Sequence, residues 1–223
     1  MILPKSSLLC LSAVAALATL ALAATMTRGP RQASAPQDLD TRVRAFLAGH
    51  EGTWRDLNVP ARDGQILYDL VLKNHYTRAL EIGTSTGHSG IWIAWALSKT
   101  GGKLITIEID EGRHREAVAN FKEAGLSDTV DARLGDAHEI VPALSGPFDV
   151  VVCDADKDGY TNYFLAVLPK LEVGGCFAAH NVSPRMRGYG AGSFVAYVEA
   201  LPGVETVFVP GSSGGISASY KRK

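Results

Sequence analysis

Cysteine is scarce: there are three in 223 residues. No CxxC pair and no Cys/His spacing of a zinc site occurs, so neither a disulfide framework nor a structural zinc organises this chain. Cys10 falls in an apolar N-terminal run. Cys153 and Cys176 fall in apolar stretches that read as buried strands, where a free thiol is an ordinary interior group. A charge surplus is missing too. The 22 Lys and Arg face 23 Asp and Glu, for a formal net charge of −1, and there is no long basic run. That excludes the electrostatic footprint of a nucleic-acid binder and leaves a small molecule as the expected partner. No internal repeat is present. What the chain does have is enough apolar material for a full core, 46% hydrophobic against 20% charged residues.

The first segment reads as separate from the fold. Lys5 precedes an apolar run over residues 8–24, and Ala21, Ala23 and Ala24 offer a small-residue cleavage site. This is the order of a signal peptide, and the run is slightly short for a membrane span. Residues 1–24 are therefore expected to be a signal peptide or membrane anchor. Residues 25–37, rich in Ala, Ser, Pro and Arg, read as a linker, and 38–223 as one domain. The chain is expected to be exported or attached to a membrane through its N-terminus, with the side of the membrane left open. A homodimer is also left open.

From Asp38 onward helices and strands alternate. The pattern predicts helices near 39–48, 64–73, 91–97, 113–124, 137–144, 160–168 and 193–201. Strands are expected near 78–82, 103–109, 130–134, 148–153 and 176–179, then two β segments, 206–209 and 216–220, around a Gly/Ser turn. Repeated β-α units imply a doubly wound α/β domain. Its sheet is expected to have seven strands, all parallel except one near the C-terminus.

Four segments carry chemistry. Glu81-Ile82-Gly83-Thr84-Ser85-Thr86-Gly87 leads from a strand through a glycine-containing loop into a helix, and glycine lets backbone approach a ligand closely. A dinucleotide fingerprint would need glycine at position 85; Ser85 stands there and weakens an NAD-dependent oxidoreductase reading. Glu108 ends the next strand, where an acidic residue can accept hydrogen bonds from ribose hydroxyls. Asp154-Ala155-Asp156-Lys157-Asp158 follows an apolar strand with three carboxylates around one lysine, a setting for a protonated lysine or a bound cation. His180-Asn181 ends the strand after that.

With Asp63-Gly64-Gln65 and Gly87-His88-Ser89 added, this set resembles the class I S-adenosylmethionine-dependent O-methyltransferases of the catechol and caffeoyl-CoA group, from about Val59 to the C-terminus. The resemblance implies a Rossmann-like methyltransferase fold and a small hydroxylated, catechol-like substrate. It implies S-adenosylmethionine bound by Val59, Glu81, Gly83, Thr84, Ser89, Glu108, Ala137 and Asp154, and Lys157 as general base beside Asp154. It also implies a divalent metal on Asp154, Asn181 and a third residue. There the chain departs, because His180 stands where the family usually has Asp. Magnesium prefers oxygen ligands, so zinc, iron or manganese is expected to be held more tightly. The alternative is a methyltransferase-fold protein that binds S-adenosylmethionine without a catalytic metal.

Overall fold

The computed structural model describes residues 38–186 and 190–223. The segments expected to be a signal peptide or anchor, 1–24 with Cys10, and a linker, 25–37, lie outside the described residues. Seven strands form one sheet: β1 Arg78–Ile82, β2 Lys103–Glu108, β3 Val130–Leu134, β4 Phe148–Cys153, β5 Leu171–His180, β6 Val204–Phe208 and β7 Ile216–Lys221. Their order is β3-β2-β1-β4-β5-β7-β6. β1 to β5 pair in parallel, and β7 runs antiparallel to both β5 and β6, so one strand is reversed. This is the expected architecture.

Alternation along the strands explains why helices cover both faces. Successive side chains of a strand point to opposite sides. Ala79, Leu104, Val150, Val152, Cys176 and Ala178 belong to one buried cluster. There they meet α1 (Leu39–Gly49), α2 (Ala61–Asn74), α3 (His88–Thr100) and α4 (Glu111–Ala124). Leu80, Ile82, Val151, Cys153, Phe177 and Ala179 belong to the other. That face is covered by α5 (Ala137–Ala143), α6 (Tyr160–Val167) and α7 (Ala191–Ala200). Cys153 and Cys176 are buried free thiols, one on each face.

Several boundaries shift by one to five residues from the sequence pattern, and two of the shifts have a clear local cause. α3 begins at His88 rather than Ile91, because Gly87 takes a left-handed φ of 98° and releases the chain into the helix at once. β5 begins at Leu171 rather than Cys176. Its first residues, Glu172 to Gly174, are exposed and lack the apolar run that marks the buried part, and the pairing shifts register between Phe148 and Val150.

Phe164 of α6 is fully buried and meets Phe177 edge-on at 5.3 Å and Phe194 at 5.9 Å. Phe164→Ala should cost roughly 3–5 kcal/mol of stability, the usual price of an aromatic cavity. Urea denaturation checks this, and a loss under about 1 kcal/mol would mean that this face is not a closed core.

Candidate active site

The strand order reverses between β1 and β4, and ligands of doubly wound sheets bind outside the strand ends at such a point. A cavity of about 830 Å³ opens there. It is lined by Gly83 and Ser85 after β1, Glu108 and Ile109 at the end of β2, and Gly135 to His138 after β3. Asp154 to Lys157 follow β4, and His180 and Asn181 close β5. Asp56, Leu57, Asn58 and Pro60, ahead of α2, and Gly214, between β6 and β7, complete the wall.

The floor is backbone held against backbone. Gly83 has φ 92°, and a Cβ there would lie 2.5 Å from the Asp154 carbonyl oxygen, so only glycine fits. Asp154 N donates to Ile82 O at 2.9 Å, and Gly83 N to Ile107 O at 3.0 Å. Glu108 is oriented by main-chain donors: Ser85 N reaches its Oε2 at 2.7 Å and Asp110 N its Oε1 at 3.0 Å. Glu81, Thr84 and Ser89 lie beneath the loop and are buried. Thr106 Oγ1 donates to Glu81 Oε2 at 2.6 Å and contacts the Thr84 hydroxyl. Burial pushes the Glu81 carboxyl up to about 7, against the pull of the Ser89 and Thr106 hydroxyls.

The strand ends of β4 and β5 hold a charged network. Lys157 Nζ donates to Asp154 Oδ1 at 2.6 Å and to Tyr160 Oη at 2.7 Å, and Tyr160 Oη donates to the His180 carbonyl at 3.0 Å. His180 Nδ1 stands 2.9 Å from Asp154 Oδ2, an ion-pair distance, but off the line of a ring N–H bond. Its Nε2 is 2.8 Å from Asp63 Oδ2. Burial pulls the ring's pKa down; Asp154 and then Asp63 outweigh this, so it is raised above the ordinary histidine value. Burial likewise works against the Asp154 carboxylate, and His180 and Lys157 overcome it and hold its pKa low.

Of the residues expected at the cofactor, Gly83, Glu108, Ala137 and Asp154 line this cavity. Glu81, Thr84 and Ser89 form the layer under it. Val59 is buried and lines a neighbouring cavity of about 450 Å³, with its carbonyl 2.8 Å from His88 Nδ1. Asp154, Lys157, His180 and Asn181 share the main cavity. Sequence reasoning gave no role to Asp63 or to Tyr160. A signal for Asp63 existed, since it sits one and two helical repeats before Leu67 and Val71 on the buried stripe of α2. The stacked pair His138 and Tyr163, at 4.4 Å, also lines the cavity, and Tyr163 Oη donates to Asp156 Oδ1 at 2.6 Å. Leu57 and Ile109, both largely exposed, flank the opening.

A doubly wound sheet with an acid-lined hollow at its switch point defines a protein that binds a nucleoside-type cofactor. Comparison with known proteins narrows this. The family model of the O-methyltransferases matches residues 35–185. A catechol O-methyltransferase of Niastella koreensis is 39% identical over 130 residues, 56% of this chain and 58% of that protein. One from Mycobacterium tuberculosis is 31% identical over 72% of each chain. An O-methyltransferase of tomaymycin synthesis from Streptomyces achromogenes, solved with S-adenosylmethionine, is 28% identical with a TM-score of 0.66, over 85% of this chain and 91% of that one. The Bacillus cereus O-methyltransferase solved with S-adenosylhomocysteine also has 28% identity and a TM-score of 0.66, over 85% and 94%. The match spans under three-fifths of the length of the Niastella protein and of caffeoyl-CoA O-methyltransferases from Eucalyptus globulus and Eucalyptus gunnii. The chain belongs to the O-methyltransferase family of class I, S-adenosylmethionine-dependent enzymes.

Glu81 supplies a pH test. In the unfolded chain its carboxyl titrates near 4.5, and in the fold near 7. The folded state keeps a proton that the unfolded chain releases, so this group weakens the fold progressively as pH rises from about 4.5 to about 7. The loss reaches roughly 3 kcal/mol at one pKa unit per 1.4 kcal/mol. Glu81→Gln should remove that slope. Urea midpoints of wild type and variant should diverge in favour of the variant between pH 5 and 8; parallel curves would show that Glu81 is not held neutral.

Proposed function

We propose that the protein transfers the methyl group of S-adenosylmethionine to an oxygen of a small hydroxylated, catechol-like molecule, with a divalent cation held at Asp154, His180 and Asn181. The observation that carries the reading is the single cavity running from Glu108 to Lys157, Asp154 and His180, which joins a ribose-type carboxylate to a proton-handling cluster. The names of the Niastella and Mycobacterium relatives support catechols as the substrate class.

The residues fit a cation. His180 Nδ1 is buried and makes no hydrogen bond. Its 2.9 Å separation from Asp154 Oδ2 suits adjacent ligands of one ion with bonds of about 2.1 Å. Asn181, at a left-handed φ of 55°, lines the same cavity. When bound, S-adenosylmethionine supplies a methyl on positively charged sulfur, and the cation lowers the pKa of a substrate hydroxyl.

The chain's own residues do the rest. Glu108, fixed by two backbone amides, accepts ribose hydroxyls. Gly83 lets the cofactor lie against the backbone. Glu108 and Asp154 make the pocket acidic, which suits a ligand carrying sulfonium and ammonium charge. Lys157 bonds Asp154 and Tyr160 through two N–H groups, and once its third proton is lost in the substrate complex the lone pair on Nζ can take the proton of a substrate hydroxyl. Leu57 and Ile109 cover the bound molecules and exclude water. The apolar run at residues 8–24 carries export or membrane attachment in this proposal.

Glu108→Ala should weaken S-adenosylmethionine binding by about 1.5–3 kcal/mol, the scale of hydrogen bonds to a charged group, read by calorimetry. Lys157→Met should lower kcat on a catechol by about 10²–10⁴-fold with cofactor affinity retained. Methylated product should vanish on complete chelation and return with zinc, iron(II) or manganese. Turnover that survives chelation would remove the cation from the reaction, and cofactor binding without product from any catechol would reject the substrate class.

A further inference from the structure

Asp63 is fully buried in the first turn of α2, far in sequence from the strand ends it serves. It accepts three hydrogen bonds. Ser213 N reaches Oδ1 at 2.6 Å, Gly214 N reaches Oδ2 at 2.7 Å, and His180 Nε2 lies 2.8 Å from Oδ2. Two backbone amides that can only donate require an acceptor, so the carboxylate is ionised. The ring nitrogen facing it must then carry the hydrogen.

With the proton of Nε2 committed to Asp63, the other nitrogen is presented elsewhere. Nδ1 is buried, makes no hydrogen bond, and stands beside Asp154 Oδ2 on the wall of the cavity. Lys157 occupies the other oxygen of Asp154. One position for a positive centre remains between Nδ1 and Oδ2, with Asn181 the next residue along. We propose that Asp63 is a positioning residue: it fixes His180 with the hydrogen on Nε2, so that Nδ1 serves as the nitrogen ligand of a divalent cation in place of a carboxylate. The inference rests on the cation in the reading above. A cation there would be held by one imidazole nitrogen with carboxylate and amide oxygens, any proton on Nδ1 leaving to solvent. Ligating histidines commonly donate their second N–H to a carboxylate in this way, and loss of that partner weakens the metal about 10–100-fold.

Asp63→Asn tests it, because the change keeps size and shape. With Ser213 N keeping the single amide oxygen, the new NH2 group faces Nε2 at the cost of the Gly214 N–H bond, which reverses the tautomer and puts the hydrogen on Nδ1. Cobalt(II) is the probe, titrated into the full chain with S-adenosylhomocysteine present and followed by calorimetry and visible absorption. Wild type should bind one cobalt(II) with a spectrum indicating a nitrogen ligand. Asp63→Asn should bind it 10–100-fold more weakly, with S-adenosylhomocysteine affinity changed by less than about twofold. Circular dichroism checks that it folds. In a His180→Asp background, which supplies an oxygen and should favour magnesium, adding Asp63→Asn should cost no cobalt(II) affinity. Equal binding by wild type and Asp63→Asn would overturn the proposal. So would a wild type that binds S-adenosylhomocysteine but no cobalt(II); His180 would then be a permanent cation between two carboxylates. Failure to bind S-adenosylhomocysteine would instead count against the methyltransferase reading.

Discussion

Asp154 is bound on every side, and the pocket is organised around that fact. Its amide is tied to β1, its carbonyl oxygen lies where any side chain at position 83 would have to go, and its two carboxylate oxygens face Lys157 and His180. Lys157 in turn holds Tyr160, which reaches back to the His180 carbonyl. The ends of β4 and β5 are thus closed into a ring of three hydrogen bonds and one ion pair that the apolar strands alone could not specify.

Such a cluster is costly to bury and is tolerated only because it is balanced. Two carboxylates face a lysine and an imidazole, and each has a partner at ion-pair distance. Buried ion pairs add little net stability compared with well-packed apolar groups, whereas an uncompensated charge is strongly destabilising. The cluster therefore earns its place by chemistry. The aromatic packing of Phe164, Phe177 and Phe194 beneath it carries the stability.

The sequence made the frame legible because its signals are local. A run such as Phe148 to Cys153 must be covered on both faces, and glycines at 83 and 87 mark a turn. Glu108 sits where a strand ends. Asp154, Lys157, His180 and Asn181 could be grouped because β4 and β5 are consecutive parallel strands. What escaped was set by contacts across the chain. Asp63 meets His180 only because α2 packs near the turn between β6 and β7, and no spacing rule joins positions 117 apart. The polar start of β5 had no apolar period to announce it. The segment at 56–60 has neither helical nor strand pattern, yet it walls the cavity, held to α4 by the 2.6 Å ion pair of Asp56 and Arg113.

Gly83 has a mechanical consequence. Because the loop proposed to seat the methyl donor touches the backbone beside Asp154, with no side chain between, the proposed seats of donor and acceptor would belong to one stiff piece of main chain. In-line transfer is sensitive to small errors in the gap between the reacting atoms. In the proposed site that gap would be defined by a backbone contact at the sheet, not by the closing of an outer loop. The walls contributed by 56–60 and by the β6–β7 turn can therefore be reshaped to admit different acceptors while the reacting distance stays as the sheet sets it.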